Sequence, residues 1–124
     1  MLRRSILFLT SSLFLIPSAV LAQDVLTVAG GAESHKVLLD NAAARMLDVR
    51  IQPGQFVEMH THPTNSVYYL TDCSLKITGA DGKIQTVEPK AGTAIWRTGE
   101  TKHAVENIGT AECHLVQTEL KDRM

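Results

Sequence analysis

Hydrophobic positions along this chain come in short alternating runs set apart by turn residues. Leu47, Val49 and Ile51 alternate with Asp48 and Arg50, a period of two that predicts a half-buried strand. Pro53-Gly54 turns the chain into a second such strand, Phe56 to His62, which Pro63 stops, and Ser66 to Thr71 predicts a third. Asp72 to Ser74 leads into Leu75 to Thr78. Gly79-Ala80-Asp81-Gly82 is then a hairpin turn of the Asp-Gly kind, returning through Ile84 to Val87. Beyond the turn at Pro89 to Gly92 lie expected strands at Thr93 to Arg97, Lys102 to Glu106 and Glu112 to Leu120. Upstream, Val25 to Val28 and Lys36 to Leu39 read as short strands, Gly30-Gly31 as a loosening, and Asn41 to Ala44 as one helical turn. Many short strands with turn signals about every 8–12 residues predict an all-β antiparallel sandwich or barrel.

The first 22 residues have a different character. Arg3 and Arg4 precede a mostly apolar run from Ile6 to Val20, and Val20-Leu21-Ala22 suits cleavage before Gln23. The run is shorter than the ~20 residues of a membrane span and Pro17 interrupts it, so a secretory signal peptide is expected at 1–22. The expected organisation continues with an N-terminal arm at 23–44, a barrel domain at 45–120 and a tail at 121–124. Export places the mature chain in the periplasm or outside the cell. About a hundred residues make one domain with a modest core. Without Arg3 and Arg4, ten basic residues face thirteen acidic ones. No basic run or basic-aromatic patch suggests nucleic acid, and no segment after the leader suits a membrane surface. Cys73 and Cys113 meet an oxidising compartment, which permits a disulfide; two separate buried thiols fit the count as well.

Among five histidines, three carry the chemistry. His60 and His62 stand two apart in an expected strand, so both rings point to one side, close enough to share a metal ion. His103 lies in a second glycine-punctuated stretch, and a two-plus-one set of this kind is how an all-β protein assembles a site from separate strands. Glu58, two residues before His60, falls on the same face if the strand is regular, as a carboxylate ligand or as a solvated rim residue. His114 is a weaker candidate for an inward position, and His35, in the arm, reads as solvent-exposed.

Gly54, five residues, His60-x-His62, then Gly92, ten residues, His103 and Asn107 resemble the two motifs of the cupin superfamily, over roughly Arg45 to Leu120. Pro53-Gly54, Pro89 to Gly92 and His103 to Asn107 look especially like small single-domain (cupin 2-like) members. The resemblance implies an antiparallel double-stranded β-helix, the RmlC-like jelly-roll barrel, with a metal in its mouth on His60, His62 and His103. The sequence also departs from the pattern. Where the family's fourth ligand, a Glu, is usual stand Asn65, Ser66 and Val67; Cys73 replaces a Gly; Thr98 and Glu100 stand where Pro and Gly are usual.

Three neutral imidazoles leave a divalent charge uncompensated, which favours Zn, Cu, Ni or Fe over Mn or Mg. They also leave coordination positions open for water or substrate. Without a metal, the paired histidines would form a polar mouth suited to proton transfer near neutral pH. Ser66 is expected beside a bound ligand, with Phe56, Tyr68 and Trp96 as packing residues or as its apolar walls, and Glu58 as a further pocket candidate. In the family's barrel the strand after the two histidines lies antiparallel to the last one. Cys73 ends the former and Cys113 opens the latter, which implies a disulfide, stabilising by roughly 3–4 kcal/mol. Asn107 is expected to organise a strand end by hydrogen bonding. By resemblance the protein takes a small organic molecule, as a metal-dependent dioxygenase or an isomerase or lyase acting beside a carbonyl. The alternative is a non-catalytic periplasmic binding protein for a small molecule or metal. A homodimer is expected, with the arm adding to a partner's sheet edge.

Overall fold

A computed structural model describes residues 23–121; the expected leader at 1–22 lies outside the described residues, as do 122–124. Nine strands follow one another: β1 (His35–Asp40), β2 (Ala44–Ile51), β3 (Phe56–His62), β4 (Asn65–Tyr69), β5 (Leu75–Gly79), β6 (Ile84–Val87), β7 (Ala94–Arg97), β8 (Thr101–Asn107) and β9 (Cys113–Leu120). From β2 onward each matches its expected stretch to within three residues at either end. All strand pairings are antiparallel, in a five-stranded sheet ordered β1-β2-β9-β4-β7 and a four-stranded sheet ordered β3-β8-β5-β6. This is the jelly-roll barrel. Its core lies between the sheets, where Leu47, Val49 and Ile51 of β2 meet Val57 of β3, Val67 and Tyr69 of β4, Leu75 of β5 and Leu115 of β9.

The arm departs from expectation. Val25–Thr27 is a 3-10 turn, not a strand, because the Asp24 carboxylate accepts the Leu26 N–H (2.9 Å) and caps it. Val25 is fully buried, so the arm closes part of the core. A one-turn helix, α1 (Gly31–Ser34), follows. Gly30-Gly31 is a tight contact, not a loosening. Gly30 has φ +79°, and a Cβ on it would lie 2.1 Å from the Phe56 carbonyl oxygen; one on Gly31 would lie 1.6 Å from that of Val25. Nor do Asn41 to Ala44 form a helical turn. The Asn41 side chain accepts the N–H groups of Ala43 (2.8 Å) and Ala44 (3.0 Å), a side-chain turn joining β1 to β2. The arm lies along β3 of its own chain: the Ala29 carbonyl accepts from Glu58 N–H (2.9 Å) and the Gln23 carbonyl from Thr61 N–H (2.7 Å).

Two further features fix the barrel. Cys73 and Cys113 form a disulfide, with Cα atoms 5.0 Å apart, where β4 and β9 run side by side. Asn107, fully buried at the end of β8, donates to the carbonyls of Ile51 (2.8 Å) and Ala111 (2.9 Å) and accepts from Gly109 N–H (2.9 Å).

Candidate metal centre and pocket

Everything at the centre depends on one extra residue in β3. Val57 pairs with Val105 and His60 with His103, so three steps on β3 span two on β8. This is a β-bulge at Glu58-Met59. It reverses the alternation, so that Val57, His60 and His62 are all buried while Glu58 is exposed. The bulge leaves the Glu58 backbone without a partner on β8, and both of its polar groups find other uses. Its N–H bonds the arm, and its carbonyl accepts the Nδ1–H of His60 at 2.6 Å.

His60, His62 and His103 are 1%, 2% and 7% exposed, and each offers a ring nitrogen within 4.8 Å of the others'. Nitrogens bound to one tetrahedral ion at about 2.1 Å stand about 3.4 Å apart, so side-chain adjustments of about an ångström bring the set to coordination distance. Tautomers are arranged for this. With Nδ1–H of His60 committed to a backbone carbonyl and Nδ1–H of His62 donated to the Glu119 carboxylate (2.8 Å), each Nε2 keeps its lone pair for a metal. Burial pushes His60 down to about 4 and His103 to about 2, with the neighbouring imidazoles adding to the effect, so both rings are neutral at pH 7. Neutral imidazole is the form that binds metal, so three buried histidines fit a divalent ion.

The opposite sheet supplies the surroundings. Glu119 of β9 is 3% exposed and also accepts from Arg45 of β2 (Nε 2.7 Å), whose guanidinium reaches Asp24 of the arm (2.8 Å). Burial alone would raise the Glu119 carboxyl; the hydrogen bond from His62 and the Arg45 charge overcome it and hold it below the usual range. His35 is not solvent-exposed, as the sequence suggested. It pairs in register with Val49, lies 7% exposed, and its ring centroid stands 6.2 Å from that of His60 and 6.4 Å from that of His62. Its Nδ1 is tied to Ser34 Oγ (2.8 Å) and the Gly31 carbonyl (3.1 Å).

The histidines, His35 included, border a cavity of about 40 Å³. Its polar wall is His35, His60, His62, His103, Arg97 and Gln117; its floor is core, including Val67, Ile77 and Leu115. None of the five pocket residues expected from sequence lines it. Glu58 is turned out by the bulge. Ser66 and Tyr68 sit on the outer phase of β4, whose inner phase is Asn65, Val67 and Tyr69. Trp96, the register partner of Ser66, shares that outer face, and Phe56 is 50% exposed. Val67 is therefore the residue that faces the cavity where the family's carboxylate would be sought. His114 also points outward, 2.6 Å from Asp48 through Nε2. Sequence reasoning missed Glu119, Arg45, Arg97 and His35. For Glu119 a signal existed: Cys113, Leu115, Gln117 and Glu119 share one phase of β9, and a carboxylate in an apolar phase implies a buried partner.

The family model for the cupin domain matches residues 47–118. Among solved structures, a cupin domain from Bordetella pertussis Tohama I is similar at 25% identity and a TM-score of 0.66, covering 71% of this chain and 92% of that one. A cupin superfamily protein from Desulfitobacterium hafniense DCB-2 shares 15% identity with a TM-score of 0.56 over 71% and 76% of the two chains. The polyketide cyclase RemF from Streptomyces resistomycificus shares 20% with a TM-score of 0.54 over 72% and 65%. No curated protein sequence matches the chain.

Proposed function

This chain belongs to the cupin domain family, and on that footing we propose that it is an exported protein holding a divalent metal on His60, His62 and His103 and taking a small organic ligand at the open coordination positions. One observation carries the reading: the three buried imidazoles converge, two of them with Nδ1–H bonded elsewhere, leaving Nε2 free. All-nitrogen ligation favours Zn, Cu, Ni or Fe over Mn or Mg. Such an ion supplies Lewis acidity to a bound carbonyl or water. Around it, Glu119 orients His62, the bulge carbonyl orients His60, and the apolar floor limits the water that can enter. Dioxygenase, or isomerase or lyase chemistry beside a carbonyl, are the reaction classes that use such a centre. A non-catalytic carrier is the second reading, favoured by the lack of any Asp or Glu among the cavity's lining residues.

The test is metal analysis of untagged mature protein beside His60→Ala and His103→Ala. Near-stoichiometric metal in the native protein, lost from both folded variants, is the expected result. Native protein that stays metal-free after incubation with Zn, Cu, Ni and anaerobic Fe(II) would sink the metal reading. Export is supported by the Cys73–Cys113 disulfide, which suits an oxidising compartment, and is checked by the N-terminal residue of the secreted protein, expected to be Gln23. A homodimer is supported by Tyr68 and Trp96, 45% and 59% exposed on one sheet face. Light scattering should give twice the chain mass, and a monomer mass would refute it.

A further inference from the structure

Arg97 is the one cationic side chain lining the cavity, and nothing in the proposed metal site requires it. It ends β7 in the five-stranded sheet, half-buried, across the cavity from β3 and β8. Its side chain lines the cavity together with His103 and the floor residue Tyr69. Among the described residues no carboxylate stands within ion-pair distance of it. Glu119, the nearby buried acid, already carries Arg45 and His62. The lining residues therefore include a fixed positive charge and no negative one. A divalent ion on three neutral imidazoles would add two more positive charges to the same small space, and a cavity of that charge favours an anion.

We propose that the ligand of this pocket is a small carboxylate, its carboxyl group held between the metal position of His60, His62 and His103 and the guanidinium of Arg97. The proposal rests on the metal reading above and specifies its substrate class. A planar guanidinium fork matches a planar carboxylate in two parallel hydrogen bonds, which a neutral amide of the same shape cannot reproduce. The size is set by the cavity. About 40 Å³ accommodates roughly three water-sized groups, so the enclosed part of the ligand is a carboxyl group with one or two further atoms. Tetrahedral oxyanions fit less well because four oxygens around one centre are bulkier than a planar carboxyl group in so small a cavity, although a guanidinium can pair with either.

Cobalt(II)-loaded protein provides the test, because its visible absorption reports on ligands entering open coordination positions. Native protein is titrated with acetate, glycolate, acetamide and inorganic phosphate, and Arg97→Gln and Arg97→Lys are titrated alongside it. Acetate and glycolate should perturb the spectrum at lower concentration than acetamide or phosphate. Arg97→Gln should weaken carboxylate binding roughly 10- to 100-fold with cobalt uptake unchanged, and Arg97→Lys by less. Acetamide or phosphate binding as well as acetate would overturn the proposal even if no Arg97 variant folds. Equal carboxylate affinity in folded Arg97→Gln would also overturn it, and both outcomes leave the metal reading intact. Failure of native protein to take cobalt overturns the metal reading and this proposal together.

Discussion

The two walls of the barrel mouth are built on different principles. The four-stranded wall presents His60, His62 and His103, three imidazole rings on two neighbouring strands, with His60 and His103 in direct register. The five-stranded wall brings charge: the buried Glu119 paired with the partly buried Arg45, and Arg97, which has no carboxylate partner among the described residues. The first wall makes a candidate metal position from imidazoles, side chains that can be buried in neutral form. The second has to offset a buried carboxylate, and it does so with two donors, Arg45 and His62. The walls meet at the His62–Glu119 hydrogen bond, where charge on one side orients a ligand atom on the other. A metal site of this kind is thus specified by both sheets, although only one supplies nitrogen.

The largest effect should come from forcing charge onto the histidine wall. On that wall His60 is held at about 4 and His103 at about 2, and His35, facing them from β1 of the other sheet, at about 4, burial being the first cause in each. Their folded values lie below the unfolded 6.5, so between those values the unfolded chain binds more protons and stability rises with pH. It is fully present above about 6.5 and is lost as pH falls toward 4. A depression of this size corresponds to roughly 3 kcal/mol for an imidazole such as His60. Urea unfolding of metal-free protein at pH 7.5, 5.5 and 4.5 should show a steadily falling midpoint, and bound metal should move the fall to lower pH. A midpoint unchanged from pH 7.5 to 4.5 would mean that the wall accepts protons freely.

Cutting the link between the walls should come next. Glu119→Ala removes the partner of His62 Nδ1–H and leaves Arg45, 14% exposed, with only Asp24. Breaking a buried pair from one side costs about 3 kcal/mol or more. Metal affinity should fall roughly 10- to 100-fold, as for other losses of a partner that orients a ligating histidine. Both numbers come from one variant by denaturation and metal competition. A loss of stability with unchanged metal affinity would make Glu119 a structural residue only.

The difference between the walls also governs what the chain reveals before it folds. His60, His62 and His103 sit in local motifs with fixed spacing, and the strands that carry them alternate clearly, so the barrel and its three rings are legible in the residues. Glu119, Arg45 and His35 depend on register between distant strands: Arg45 meets Glu119 because β2 pairs with β9, and His35 turns inward because it pairs with Val49. No local pattern encodes those pairings. The arm was obscure for a related reason, since Val25 is apolar to fill a gap in the barrel and not to alternate in a sheet. The bulge in β3 did more harm, because one extra residue shifts the phase of everything before it.

That shift leads to the smallest predicted effect and the sharpest control. Simple alternation makes Glu58 a neighbour of His60 and Ser66 a neighbour of the ligand, yet the structure puts both on the outside. Only the backbone of Glu58 serves the centre, through its carbonyl on His60 and its N–H on Ala29. Glu58→Ala and Ser66→Ala should therefore leave metal affinity unchanged and stability within about 0.5 kcal/mol, as for ordinary surface substitutions. Deleting residue 58 instead removes the extra residue, so that Val57 and His60 stand two places apart and both stay inward in a regular strand; metal binding should persist, weakened by loss of the carbonyl that holds His60 Nδ1–H. If Glu58→Ala alone lowered metal affinity tenfold, its carboxylate would have to reach the centre, and the outward phase of β3 at that position would be wrong.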